Sequence, residues 1–521
     1  MNMPFKKAVN DLRHAPGRTL LVILALAIGL WGVGGILVSY TILTRDLSDN
    51  FTRTRPAHAI LMSKDFGKLD LAALRQRPGI ERAEFRDLSL QRIEVHPDEW
   101  ITLWLFGVED FEQPTMALLA REQGNGVPAP GTMLIERDGR LISNLDIGSR
   151  SRVRAGKRII EVPITGIAFD PAQAPATQDH FIYAYVDKPT YTAITGEPAN
   201  QRLLLRLNHV TTKQEVEAVI DQLGEELKAQ GIGLTSINVP RLNEHPHQWQ
   251  LNTLLFLQGS ISLLAFLMGA VLVSQLMASI LAKQVRQIGI LKAIGASRRK
   301  VLKIYLTMVI VLGISAGVIA IPLAVASGYA FSYFVAGKLN FEILTQHLPV
   351  HLYLALIATS LLLPVMLSLP AILKGVNVSV HDALSDYGIS PNGMGATAEK
   401  VSASWMPLGL LLAVRNSLRQ QKRLAITVAT MALGVAIFST GFNVRASLAV
   451  LLAEVNDSMR HDVQVVLKDQ ILREQALPVF RAVGNVARIE TWNGGRGELQ
   501  SRIMATARGV GIVALPHDTD L

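Results

Sequence analysis

Five stretches of this chain are long enough to cross a membrane and contain no Asp, Glu, Lys or Arg: Thr19 to Ile42, Leu251 to Ala282, Ile304 to Gly337, Leu348 to Leu373 and Leu424 to Val444. Each exceeds the roughly 18 apolar residues that mark a membrane-spanning helix. A helix buried in a soluble core is seldom this long without a charge. The expectation is an α-helical membrane protein with five transmembrane helices.

Lysine and arginine in the short flanks orient those helices. Lys6, Lys7, Arg13 and Arg18 precede the first, and Lys283, Arg286, Lys292, Arg298, Arg299, Lys300 and Lys303 lie between the second and third with no acid among them. Lys374, Arg415, Arg419, Lys422 and Arg423 follow the fourth, whereas the loop between the third and fourth holds only Lys338 and Glu342. The basic regions belong in the cytoplasm, and so does the N-terminus. The net charge of +9 is then an orientation signal, and nucleic acid is not an expected partner.

The resulting map has a cytoplasmic amphipathic helix over 1–18, spans over 19–42, 251–282, 304–337, 348–373 and 424–444, and cytoplasmic segments over 283–303 and 374–423. Residues 338–347 form a short external loop. The long external segment 43–250 can form its own core. Alternation in Trp100 to Gly107 and Ile159 to Gly166 predicts strands, and Val216, Val219, Ile220, Leu223 and Leu227 predict a helix within Thr212 to Gln230. An α+β extracytoplasmic domain follows. The chain has no cysteine, so this domain has no disulfides and the protein is not a lipobox lipoprotein.

The chain also begins again. Arg18 and Arg423 each precede an apolar run, and Gly29 and Gly434 lie within the two runs at one offset: 423 − 18 = 434 − 29 = 405. His58 to Asp65 is answered by His461 to Asp469, and Pro78 to Glu84 by Val483 to Glu490. Register kept over such a distance predicts a duplicated unit of the kind many transporters contain. Residues 445–521 would then be a partial second extracytoplasmic domain. The second unit reaches Asp520-Leu521 with no return span, so the expectation is a longer membrane protein of two four-span halves, truncated in its second half; the alternative is a natural five-span protein with a small external C-terminal domain.

Between the second and third spans, Val285, Ile288, Leu291 and Ile294 recur in three-residue steps among basic residues. This predicts a short amphipathic cytoplasmic helix suited to a groove on a soluble partner. Gly313 and Gly317 form a Gly-x-x-x-Gly pair that allows close helix approach.

The string from Arg286 to Ser297 resembles the hallmark of FtsX-like, MacB-type ABC transporter permeases, where a motif close to Arg-Glu-Ile-Gly-x-x-Lys-Ala-x-Gly-Ala-Ser forms the helix that engages the ATPase. Arg286, Ile288, Gly289, Lys292, Ala293, Gly295, Ala296 and Ser297 match it. Ser368 to Ala371 and Val378 to Leu384 are similar to the family's close of the fourth helix, and the Gly148 and Gly166 region looks like its extracytoplasmic core. Two departures are Gln287, where the family usually has an acid, and Thr307-Met308, where an acid often follows.

The resemblance implies a type VII ABC system in the bacterial inner membrane. There a cytoplasmic ATPase dimer, which binds ATP and Mg, drives closure of a transmembrane stalk and moves the external domains. The eight matching residues would then be the ATPase-coupling site. Membrane lipids and a periplasmic adaptor or cargo protein would be further partners. The implied activity is export or extraction of a lipid, lipoprotein, peptide or other amphiphile; the alternative is force transmission that regulates a cell-wall hydrolase or sensor without moving cargo.

The sequence contains no Gly-x-x-x-x-Gly-Lys-Ser/Thr phosphate loop, so the chain is expected to bind no cofactor and to be a permease subunit, not an enzyme. His245-Pro246-His247 beside Glu244 lacks a convincing third ligand, and no metal site is expected. No Ser/His/Asp or paired-carboxylate arrangement predicts catalysis. Gln258 and Gln275 in the second span could face a substrate path or bond neighbouring helices, and the interhelical bond is the expectation.

Overall fold

The computed structural model describes residues 3–14, 16–381, 407–411, 421–458, 461–465, 467, 471–499 and 508–515. In chain order these form α1 (Met3–Arg13), α2 (Pro16–Arg53), β1 (Ala59–Met62), α3 (Leu71–Arg75), β2 (Ile80–His96), β3 (Glu99–Val108), β4 (Ala120–Gly124), β5 (Met133–Glu136), β6 (Arg150–Ala155) and β7 (Arg158–Phe169). There follow α4 (Ala176–Asp179), β8 (Phe181–Asp187), α5 (Lys188–Thr195), β9 (Arg202–Leu207), α6 (Lys213–Ala229), β10 (Ser236–Asn238), α7 (Gln248–Ala293), α8 (Arg298–Leu339) and α9 (Val350–Val376). The last elements are α10 (Gln421–Ser458), α11 (Arg473–Arg481), β11 (Asn493–Leu499) and β12 (Arg508–Ala514). Residues 1–434 form one compact unit and 435–521 a second.

Among the described residues five helices are long and apolar enough to cross a membrane: α2, α7, α8, α9 and α10. Several outrun their predicted spans. Proline at the first position of α2 has no N–H to leave unpaired, and the helix then runs past Ile42 to Arg53, because charge ends an apolar run without ending a helix. With 38, 42 and 46 residues, α2, α8 and α7 reach about 57, 63 and 69 Å at 1.5 Å per residue, against roughly 30 Å of hydrocarbon.

α2, α7, α8 and α9 pack as a bundle, with α1 against α8. At its end away from the α+β domain, Val22, Leu26 and Leu30 of α2 meet Leu281 and Ile288 of α7, Val301, Tyr305 and Met308 of α8, and Ile372 and Val376 of α9. At the other end, Leu43 and Leu47 meet Leu251, Val335 and Leu339. Ser39 Oγ donates to Gln258 Oε1 at 3.3 Å, an α2–α7 bond of the kind expected for that glutamine; Gln275 Nε2 is buried without a partner among the described residues.

Between α2 and α7 stands one ten-stranded sheet of order β10-β1-β9-β2-β3-β8-β5-β7-β4, with β6 on β2 and β7. β2 is its spine. Residues 80–85 pair with β9 and residues 86–96 with β3, so one strand of 17 residues belongs to two lobes. The first lobe buries Leu61, Phe85, Leu203 and Leu205 beneath Val216, Ile220, Leu223 and Leu227 of α6. The second buries Leu103, Leu105, Ile135, Ile164 and Ile182. Thr212 caps α6 in a reciprocal box with Glu215, which is why the helix starts there.

In the second unit, α11 precedes the antiparallel pair β11–β12. Moved back by the 405-residue offset, β11 falls within β2 and β12 overlaps β3 to its end, so helix, strand and strand recur in order. Among the described residues β1 has no counterpart strand: residues 461–465 have no regular structure. β1 is held between β9 and β10, and residues 461–465 have no such partners among the described residues. Most of the connector 374–423, including much of the helix expected before Arg423, lies outside the described residues.

Candidate coupling site

The basic end of the bundle turns on Gly295. Nothing before it breaks the helix, so α7 continues through residues 283–293 and no separate helix forms over 283–303. Gly295 then takes φ +93°, a left-handed conformation that L side chains rarely adopt. Ala296 N–H donates to Leu291 O at 2.9 Å and Gly295 N–H to Lys292 O at 3.0 Å, closing the last turn as a Schellman motif. Ser297 then caps α8 by accepting from Lys300 N–H at 3.4 Å. The result is a tight helical hairpin.

The eight residues predicted for ATPase coupling divide on this hairpin. Ile288 is 0% exposed and Gly289 is buried, both facing the bundle. Lys292 turns inward, its Nζ donating to Val376 O at 2.6 Å and Val378 O at 2.5 Å. A lysine on α7 thus neutralises carbonyls at the end of α9, where the helix dipole is negative. Ala296 is half-buried, while Arg286, Ala293, Gly295 and Ser297 face outward. So do Gln287, Arg298, Arg299 and Lys300.

The apolar three-residue stripe does not share one environment. Each such step falls short of a full turn, so the stripe winds around the helix. Ile288 ends inside, and Ile294 is 76% exposed. With Ile290, 48% exposed and one turn earlier, it makes an apolar outer surface beside the basic residues. Ile290 was not among the predicted residues.

Gly313 and Gly317 pack on α9. A Cβ at Gly313 would lie 2.5 Å from Ser360 O, and one at Gly317 would lie 2.9 Å from Ser360 Cβ. Only glycine permits that approach.

The opposite end of the bundle carries a buried polar junction that no sequence motif announced. Asp46 of α2 is 0% exposed and accepts from Leu344 N–H and Thr345 N–H, both at 2.9 Å, and from Thr345 Oγ1 at 2.6 Å. One turn on, Asn50 exchanges side-chain and backbone hydrogen bonds with Glu342. α2 thereby fixes the loop from α8 to α9.

α8 ends in Asn340 at φ +51°, a left-handed position that asparagine tolerates. Its Nδ2 donates to Glu136 Oε1 at 2.9 Å, and its Oδ1 accepts from Arg137 Nε at 3.0 Å. Arg137 also lies 3.3 Å from Glu342 Oε1 and stacks over Phe169 at 3.8 Å. The end of a spanning helix is thus keyed to the last residue of β5. Burial pushes the Glu136 carboxyl up to about 8, outweighing the opposing hydrogen bonds from Asn340 and the Asp138 N–H. A carboxylate ending the apolar run Met133-Leu134-Ile135 was the available signal.

The strap into α7 is seated similarly. His245 Nε2 lies 2.6 Å from Pro171 O, its Nδ1 accepts from His247 N–H at 3.0 Å, and its ring meets Phe51 edge-on. Both nitrogens are engaged in this packing, and burial holds the imidazole down to about 4. Among the described residues no group of His, Asp and Glu could hold a metal.

Residues 259–380 match the FtsX-like permease C-terminal family. No curated protein sequence matches the chain. Among solved structures, the extracellular domain of the noncanonic ABC-type transporter YknZ from Gram-positive bacteria is similar at 11% identity, covering 35% of this chain and 98% of that one with a TM-score of 0.25. The periplasmic region of MacB from Actinobacillus actinomycetemcomitans is similar at 14% identity, covering 40% and 98%, with a TM-score of 0.25. Likenesses of this size bear on neither substrate nor partner.

Proposed function

We propose that this chain, which carries an FtsX-like permease domain over residues 259–380, is the membrane subunit of an ABC transporter in a bacterial inner membrane. It couples a separate cytoplasmic ATPase dimer to its extracytoplasmic domain, for export or extraction of a lipid, lipoprotein, peptide or other amphiphile. ATP and Mg belong to the ATPase.

The observation that carries this reading is the continuity of α8. One helix begins at the basic hairpin and ends in Asn340, bonded to the extracytoplasmic domain. α2 runs beside it and holds the loop that follows through Asp46. A tilt imposed at Ile290 and Ile294 would reach Glu136 through packed helices, with no flexible linker between.

Co-expression with a cytoplasmic ABC ATPase and purification in detergent tests the reading. Retention of the ATPase, with turnover altered by lipoproteins or amphiphiles, is the expected result. Failure to retain it, while the chain remains folded in the membrane, overturns the coupling.

A further inference from the structure

Where the two lobes meet the ends of α2 and α7, the extracytoplasmic domain carries a half-open cavity of about 760 Å³. That lies within the roughly 300–1,000 Å³ of small-molecule sites. Its walls include the rings of Phe51, Trp104, Phe106, Phe181 and Trp249, with Leu204 from the first lobe. Phe51 belongs to the last turn of α2 and Trp249 to the first turn of α7, and Trp249 is 63% exposed. The rim therefore sits where two spanning helices enter the domain, with Phe51 nine residues past the charge-free run that ends at Ile42.

We propose that this cavity takes the hydrocarbon chain of an anionic amphiphile, with the chain against the aromatic walls and the acidic head on Arg202.

Arg202 lines the cavity, and its Nη1 donates to Arg86 O at 3.3 Å. Burial and the like charge of Arg86 lower its pKa to about 10, so it stays cationic at neutral pH at a cost that a bound anion would relieve. The nearby charges are otherwise engaged. Asp87 accepts from the N–H groups of Asn200, Gln201 and Arg202. Arg86 pairs with Glu84 at 3.0 Å. Of the acids on the wall, Asp170 holds Tyr185, Gln173 and Ala172 N–H, Glu244 pairs with Arg241, and Asp179 acts on His247. Arg86 Nε and Trp104 Nε1, both on residues of the wall, are buried without partners among the described residues. Asp87 also acts on the Arg202 charge, but its oxygens are taken by those three N–H groups, and an apolar chamber with a buried cation suits a fatty-acyl chain whose head is a carboxylate or phosphate.

This inference names a substrate class for the permease and rests on that reading for its direction. Binding itself needs neither ATP nor ATPase. The full chain in detergent micelles is irradiated with a diazirine-bearing palmitate, and the labelled peptides are identified. Label is expected on peptides containing Phe51, Phe106, Leu204 or Trp249, competed by palmitate and not by hexadecylamine. Leu204→Trp, which fills the chamber, and Arg202→Gln, which removes the charge, should each reduce it about tenfold or more, the worth of one charge-assisted contact. Label confined to the spanning helices, or equal competition by the amine, overturns the proposal. If Leu204→Trp fails to fold, Arg202→Gln alone decides. Competition by phosphatidylglycerol assigns a bilayer phospholipid, and competition by a palmitoylated peptide assigns an acylated protein. Lost labelling with the ATPase still retained removes the cavity and keeps the permease; lost ATPase with labelling intact does the reverse.

Discussion

Asn340 Nδ2 lies 2.9 Å from Glu136 Oε1, and this bond joins the end of a spanning helix to a strand of the extracytoplasmic sheet. Its acceptor is a carboxyl that burial holds near 8, so the joint responds to pH in a calculable direction.

A carboxyl raised in the folded state favours folding while it is protonated. That contribution is complete below the unfolded value of 4.5 and is lost as pH rises through about 8. Between pH 6 and 9 the folded chain should lose about 2–3 kcal/mol. Thermal unfolding in detergent should show that loss in the wild type and a flatter profile in Glu136→Gln. Equal slopes would remove Glu136 from the account.

Asp46→Ala leaves Leu344 N–H and Thr345 N–H without their buried acceptor. Unpaired buried donors cost roughly 1–3 kcal/mol each. A lower unfolding temperature and faster proteolysis within 340–349 are expected, with Asp46→Asn intermediate. Unchanged proteolysis would mean the loop is held elsewhere.

Gly313→Ala places a methyl 2.5 Å from Ser360 O, and overpacking of that kind costs roughly 1–3 kcal/mol. Gly337, in the same helix, has nothing within 4 Å of its would-be Cβ. There alanine should stabilise by roughly 0.5–1 kcal/mol, the usual helix preference. Chemical unfolding of the two variants should move in opposite directions.

Ile294→Asp alters the exposed face of the hairpin and should abolish ATPase retention without changing the melting temperature. Substitution at Gly295 would confuse backbone strain with a lost contact, because of its positive φ. Lys292→Met should instead loosen the end of α9, lowering stability as well. An Ile294→Asp chain that still holds the ATPase would move the contact away from this surface.

The membrane helices and the α+β domain between the first two were legible in uninterrupted apolar runs, because crossing hydrocarbon leaves few alternatives. The helical extensions beyond Ile42 and Ala282 were not, since Asp46 and Lys292 read as flanking charge until their partners are known. Asp46 meets residues almost 300 positions away, and Lys292 meets carbonyls more than 80 away. Sequence spacing carries no trace of such pairs. The motif around Gly295 was visible as a string, yet which of its residues face outward depends on how α7 rotates against α9.

The shared strand β2 has a mechanical consequence. Both lobes hang on one continuous backbone, so a pull along it loads the flanking ladders in shear, with many hydrogen bonds resisting together. Peeling would break them one at a time. The lobes should therefore travel as a single piece.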